Sequence, residues 1–380
     1  MIQKEFTCLR DGLVIRGTCY YNEGKNLPVA VVSHGFMDTR RGTRKYAKML
    51  AEEGYLGVCF DFCGGGIGSK SDGESTDMSV LTEAEDLKAV IEKARTWNNA
   101  DPDRVILMGL SQGGFVSALV AAELKEKIEN LILFYPALCI PDDARKGKMM
   151  FAKFDPVHIP KTFRCGLMKL GRTYAKSVRK MDPYEILSAY PGPSLIIHGK
   201  KDKIVDISYS EKLKSVWGEN CVLKEIQNGN HGFSDKRADE TAMEHVRQYL
   251  KGRKEYLSVD VFLTGREVSE KDKKTKEYTL TLPFKGTVKN EFLTGGILPD
   301  AKDVQRRKGK KLLHAKADYF ISGTDKYGNP CIVHVINEND GTCWKPHITT
   351  DSRVLSFLQD KELFAVLEGR KEGPIVHIYG

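Results

Sequence analysis

The stretch Val105-Ile106-Leu107-Met108-Gly109-Leu110-Ser111-Gln112-Gly113-Gly114-Phe115 decides the reading of this chain. Its first four residues form a short apolar run, as expected of a strand buried on both faces. Gly113 to Leu124 carries helical periodicity. Between them lies Gly109-Leu110-Ser111-Gln112-Gly113, a G-x-S-x-G pattern. That pattern marks a sharp strand-to-helix turn that lifts a serine hydroxyl above the carboxyl edge of a sheet. The pentapeptide alone is common; strand before and helix after give it meaning.

A serine hydroxyl needs a base to take its proton, and the base needs an acid to orient it. On elbow-type folds the order along the chain is serine, acid, histidine. Leu195-Ile196-Ile197-His198-Gly199 reads as a late strand, and Asp202 follows in its loop. Asp206 competes for the acid role but is placed to cap the next helix. Val222 to Ile226 reads as the last strand of this part, followed by Gly229-Asn230-His231-Gly232-Phe233. His231 is the expected base; His198, at a strand end, and His245, inside a helix, are weaker candidates. An oxyanion requires two N–H donors aimed at one point. Gln112, next to the serine, and Phe36, in the early loop Ser33-His34-Gly35-Phe36, are the expected donors. His34 itself is expected to be structural.

Around these residues, strand and helix signals alternate. A hairpin is expected at Phe6–Arg10 and Leu13–Tyr20, turning at Asp11-Gly12. Strands follow at 28–32 and 56–60, and helices at 46–53 and 80–97. Such βαβ units imply a mostly parallel sheet covered on both faces. From about Ala137 to Ala189 the rhythm breaks into a basic, aromatic, proline-interrupted insertion, and long insertions of this kind are often lids. After Gly252 helical periodicity fades, and short strand signals are separated by glycine and asparagine turns. The expected organisation is an α/β catalytic domain over residues 1–252 with a lid at about 137–189. A second, all-β, barrel-like domain follows over residues 253–380. The lysine-rich stretches 270–276 and 306–311 are expected to be solvated loops.

Composition limits the alternatives. The net charge of +8 is spread along 380 residues. It is too diffuse to argue for nucleic acid. Nine scattered cysteines with no C-x-x-C pair imply reduced thiols in a cytoplasmic setting. No apolar run is long enough to span a bilayer. Gly64-Gly65-Gly66-Ile67-Gly68-Ser69-Lys70-Ser71 fails both phosphate-loop patterns, because Ser69 interrupts each. Cys59 and Cys63 lack zinc-site spacing. Trp344 and His347 could meet a ligand in the β domain, although packing is the expected role. No metal or organic cofactor is expected, and a homodimer is possible.

His34-Gly35-Phe36, Ser111-Gln112-Gly113-Gly114 and His231-Gly232-Phe233 together resemble the α/β-hydrolase superfamily, and within it the bacterial cinnamoyl (feruloyl) esterases. Phe154-Asp155-Pro156-Val157-His158-Ile159-Pro160 and Gly171-Arg172-Thr173-Tyr174 are similar to the small lid of those esterases. The resemblance implies a lid that closes over an aromatic acyl group, with Asp143 and Tyr174 as the side chains meeting its ring hydroxyl. It implies hydrolysis of a small ester through an acyl-enzyme. Asp61-Phe62-Cys63-Gly64-Gly65-Gly66 departs from the Gly-His-Gly of many relatives. A similar loop occurs among acyl-thioester hydrolases, so a thioester substrate is the alternative. A non-catalytic binding protein on the same fold is a second one. From Phe284-Lys285-Gly286-Thr287 to Gly295-Gly296-Ile297-Leu298-Pro299-Asp300-Ala301 the chain faintly resembles small bacterial β-barrel domains of uncharacterised function.

Overall fold

A computed structural model describes residues 1–380. The chain divides into two compact units, Met1–Asp235 and Lys236–Gly380. The helix Lys236–Leu250, expected to close the first domain at residue 252, groups with the second unit instead.

The first unit runs β1 (Ile2–Arg10), β2 (Leu13–Tyr21), β3 (Leu27–Ser33), α1 (Arg40–Glu52), β4 (Leu56–Phe60), α2 (Val80–Arg95), β5 (Ala100–Leu110), α3 (Gln112–Leu124) and β6 (Asn130–Phe134). The insertion then supplies α4 (Ile140–Arg145), β7 (Lys148–Met149), β8 (Ala152–Lys153), β9 (Thr162–Cys165), β10 (Met168–Gly171), α5 (Arg172–Val178) and α6 (Pro183–Leu187). β11 (Ser194–Gly199), α7 (Ser208–Trp217) and β12 (Cys221–Ile226) complete it. The eight-stranded sheet has the order β1-β2-β4-β3-β5-β6-β11-β12. β1–β2 and β2–β4 pair antiparallel; every later pair is parallel. The reversal between β3 and β4 makes a topological switch point beside β5, where ligand crevices form in open α/β sheets.

The central strands are apolar because both faces are covered. All five residues of β4 are buried, as are Val29–Val32 of β3 and Val105–Leu110 of β5. α3 is buried from Gln112 to Ala122, so its apolar run shows no polar face. α1 begins at Arg40, six residues before the apolar periodicity at Tyr46, because Thr39 caps it by accepting a hydrogen bond from the Arg41 N–H.

The second unit contains α8 (Lys236–Leu250), β13 (Glu255–Leu263), β14 (Glu267–Val268), β15 (Glu277–Lys289), β16 (Leu293–Ile297), β17 (Lys302–Lys308), β18 (Lys311–Asp325), β19 (Pro330–Asn339), β20 (Trp344–Thr350), β21 (Phe364–Glu368) and β22 (Ile375–Tyr379). Its ten strands form one sheet, and pairing of β13 with both β22 and β15 closes the sheet on itself. Closure removes the unpaired edges that an open all-β domain must otherwise protect. Arg306 to Lys308, expected in a loop, lies in β17 paired to β18. Arg306 and Lys308 are exposed on the outer face, while Arg307 turns in beside buried Gln305 and donates to its side-chain oxygen, so an alternating strand looks like a lysine-rich loop in sequence. No helix in the chain is long and apolar enough to cross a membrane.

Candidate active site

Ser111 sits between β5 and α3 with φ of 53° and ψ of −118°. This positive φ is costly for a side chain other than glycine, and such strain is found where the surroundings impose it. The neighbouring glycines make the turn possible. A Cβ on Gly109 would lie 2.2 Å from the Gly113 carbonyl oxygen, and one on Gly113 would lie 2.2 Å from the His34 oxygen. Backbone from three segments therefore packs against backbone. The turn is tied across the sheet by the Ser111 N–H donating to the Phe134 carbonyl at 2.9 Å.

His231 arrives from the loop after β12. Its Nε2 lies 2.9 Å from Ser111 Oγ and its Nδ1 lies 2.7 Å from Asp202 Oδ2. The imidazole stacks obliquely on Tyr135, with ring centroids 4.6 Å apart. The Asp202 side chain has no exposed surface. Its Oδ1 accepts from the N–H groups of Ile204 and Val205 at 2.8 and 2.9 Å. Burial pushes the carboxyl pKa up, but hydrogen bonds from His198 and His231 and from the Val205 N–H outweigh it. The net effect holds Asp202 below the usual carboxylate range. Asp206 is exposed and accepts from the Ser208 N–H, the helix-start role expected of it.

Sequence reasoning set His198 aside, yet it belongs to this network. Its Nδ1 lies 2.7 Å from Ser210 Oγ, and its Nε2 lies 3.0 Å from the Val205 oxygen and 3.3 Å from Asp202 Oδ2. The available signal was its position four residues before the aspartate, at the end of the same strand. His34 is structural as expected. It is fully buried, with Nδ1 on the Gly35 carbonyl and Nε2 accepting from the Phe62 N–H at 3.1 Å.

Gln112 is buried and held at both ends of its amide. Its Nε2 donates to Glu83 at 2.7 Å, and its Oε1 accepts from the Tyr174 hydroxyl. Tyr174 was expected to meet substrate. It is instead fully buried behind the cavity wall, its hydroxyl committed to Gln112. A phenol surrounded by protein finds a partner of its own, and here that partner is 62 positions away. Burial drives the Glu83 carboxyl well above its ordinary range, opposed only in part by the Gln112 bond. Tyr174→Phe leaves the Gln112 oxygen buried without its donor. The expected cost is about 1–3 kcal/mol of stability. It is read as a lower midpoint when the N-terminal unit unfolds in urea; an unchanged midpoint would free the hydroxyl for another role.

Phe36, Ser111 and Gln112 line a cavity of about 240 Å³ with Asp143, Lys148 and the apolar side chains Ile140, Met149, Phe151 and Val205. Gly35 passes close behind the serine, since a Cβ there would lie 3.3 Å from Ser111 Cβ. Asp143 is half-buried, 3.7 Å from Lys148 Nζ. Burial raises its pKa, and Lys148 and Lys146 oppose the rise. The structure thus gathers Ser111, His231, Asp202, Phe36, Gln112 and Asp143 at one place.

The family described as serine aminopeptidase, S33, matches residues 24–181. The uncharacterized protein YfhR of Escherichia coli (strain K12) is 28% identical over 193 residues, covering 50% of this chain and 58% of YfhR. The chain thus spans less than two thirds of that relative. The quorum-quenching protein AidA of Acinetobacter baumannii (strain MDR-ZJ06) is 35% identical over 89 residues, 23% of this chain and 28% of AidA. Among solved structures, ferulic acid-bound Est1E from Butyrivibrio proteoclasticus aligns with a TM-score of 0.61 and 26% identity, covering 65% of this chain and 98% of that one. DcsB in complex with its substrate analogue aligns with a TM-score of 0.54 at 19% identity, a likeness of fold. The N-terminal unit has an α/β-hydrolase-like fold similar to that of ferulic acid-bound Est1E, and a separate all-β unit follows it in the chain.

Proposed function

We propose that this chain hydrolyses carboxylic esters through an acyl-enzyme, with a hydroxycinnamate-type acid as the acyl group. The observation that carries the reading is the unbroken chain Ser111 Oγ, His231, Asp202 at 2.9 and 2.7 Å, opening on a largely apolar cavity whose charged lining residues are Asp143, Lys148 and Lys203. His231 Nε2 takes the Ser111 proton as Oγ attacks the ester carbonyl. The N–H groups of Phe36 and Gln112 hold the developing oxyanion. His231 then gives its proton to the departing alcohol. Water activated by the same nitrogen releases the acid and restores the serine.

Asp143 and Lys148 supply the polar end that a phenol-bearing acyl group needs, and the similarity to ferulic acid-bound Est1E supports that assignment. The test compares methyl ferulate, methyl cinnamate, p-nitrophenyl acetate and an acyl-CoA. The ferulate is expected to exceed the cinnamate in kcat/KM. Asp143→Asn is expected to lower the ferulate value about tenfold, the scale of one charged hydrogen bond, and to leave p-nitrophenyl acetate unchanged. Equal rates for ferulate and cinnamate would overturn the hydroxycinnamate assignment. Cleavage of the acyl-CoA with no ester cleavage would replace ester by thioester.

A further inference from the structure

The insertion builds two small hairpins side by side. β7 and β8 pair Met149 with Ala152, so Met150 and Phe151 form a two-residue tip. β9 and β10 pair Cys165 with Met168, so Gly166 and Leu167 form another. The tips are adjacent: a Cβ on Gly166 would lie 3.9 Å from the Phe151 ring. Beneath them the Cys165 thiol donates to the Met149 carbonyl at 3.2 Å, and the Phe154 and Phe163 rings pack with centroids 4.7 Å apart.

Alternation along each hairpin sorts its side chains by charge. Met149, Ala152, Phe163, Cys165, Met168 and Leu170 are buried, whereas Lys148, Lys153, Arg164 and Lys169 are exposed. The register sets Lys148 opposite Lys153 and Arg164 opposite Lys169. Like charges directly across a ladder are destabilising. Of the four, Lys148 alone has a carboxylate in ion-pair range, Asp143 at 3.7 Å. The insertion as a whole, residues 137–189, holds eleven Lys and Arg against five Asp and Glu, so most of the net charge of +8 is concentrated in this one segment. The tips, by contrast, are apolar and uncovered. Leu167 is 82% exposed, Val157 74% and Phe151 70%, the three most exposed large apolar side chains of the N-terminal unit.

We infer that the paired tips are a docking surface for an anionic lipid bilayer, with Phe151 and Leu167 entering the interface and Lys153, Arg164 and Lys169 meeting lipid phosphates. Apolar side chains backed by Lys and Arg are the composition of segments that lie in a membrane interface. Anionic headgroups supply the countercharge that the facing basic pairs lack. A second copy of the chain does not, because a two-fold contact sets the same basic pairs against each other. A soluble polyanion neutralises the charges but leaves both apolar tips in water. Phe151 also lines the Ser111 cavity, so the surface adjoins its mouth. The docking surface is independent of the ester reading, and its test needs no hydrolysis.

The test is co-sedimentation of the full chain with vesicles of phosphatidylcholine alone and of phosphatidylcholine with about one third phosphatidylglycerol, at about 50 mM salt. The anionic vesicles are expected to bind at least about tenfold more tightly. Arg164→Glu with Lys169→Glu should weaken that binding at least about thirtyfold, the scale of two surface charges. Arg41→Glu with Arg44→Glu, the same change on the exposed face of α1, should weaken it less than about threefold. Leu167→Ser should weaken it about tenfold, through lost apolar burial. Circular dichroism establishes folding, and should the β9–β10 double variant fail to fold, Leu167→Ser and the two lipid compositions decide. Equal binding to both vesicles, no binding at about 1 mM lipid, or equal losses in the two double variants would each overturn the surface. Undiminished vesicle binding by Leu167→Ser, with dextran sulfate bound as tightly, would replace the bilayer by a soluble polyanion and overturn it too.

Discussion

Ser111→Ala is expected to lower hydrolysis of methyl ferulate and p-nitrophenyl acetate alike, by about 10⁴–10⁶-fold. The reason lies in the geometry of the elbow. Ser111 presents its hydroxyl to His231 Nε2 at 2.9 Å. The turn that holds it is maintained by backbone contacts among Gly109, Gly113 and His34, which an alanine at 111 does not touch. The fold should therefore survive while the nucleophile is lost. The residual rate measures what the oxyanion donors and binding achieve by themselves, since they remain in place. Circular dichroism establishes folding, and a serine-directed phosphonate should label the parent and not the variant. Unchanged hydrolysis by a folded Ser111→Ala chain would move the activity away from this cavity.

Local chemistry is what made the site readable. The elbow was legible because a G-x-S-x-G turn, a buried strand and a helix are consecutive in sequence, so one window contains the cause and the consequence. Asp202 and His231 were legible because each follows a strand whose apolar run can be counted. The roles that escaped notice depend on distant partners. Tyr174 reads as a lid residue facing substrate until Gln112, 62 positions earlier, takes its hydroxyl. His198 reads as a strand terminus until β11 brings it within 3.3 Å of Asp202. In the β unit, Arg306 to Lys308 reads as solvated loop because the outward strand positions of Arg306 and Lys308 carry the same charged residues as a loop, and the inward turn of Arg307 toward Gln305 leaves no mark in sequence. Only pairing with β18 separates the two. The grouping of α8 with the β unit was equally invisible, because helical periodicity announces an apolar face and not the surface that receives it.

Asp202→Asn should cost about 10⁴-fold in kcat with little change in KM, because the carboxylate acts on the imidazole and not on substrate. Asp202 Oδ2 accepts from His231 Nδ1, which leaves Nε2 unprotonated and able to take the serine proton. An amide at 202 can present N–H to the ring, favouring the opposite tautomer and placing a hydrogen where the lone pair is needed. The loop should persist, because the side-chain oxygen of asparagine can still accept from the Ile204 and Val205 N–H groups. Asp206→Asn, at the exposed start of α7, should leave the rate unchanged and serves as the control. Stability supplies an independent readout. The folded carboxyl is held below its ordinary range of about 3.9, so its contribution is complete above that value and is lost as pH falls toward the folded one. The difference in urea midpoint between parent and Asp202→Asn should therefore be flat from pH 5 to 8 and shrink below about pH 4. By the same sign, a fall in activity between pH 8 and 5 does not arise from protonation of Asp202. A variant that keeps its rate within about tenfold would assign the orientation of His231 to another acid, and a midpoint difference that grows below pH 4 would reverse the direction argued for this carboxyl.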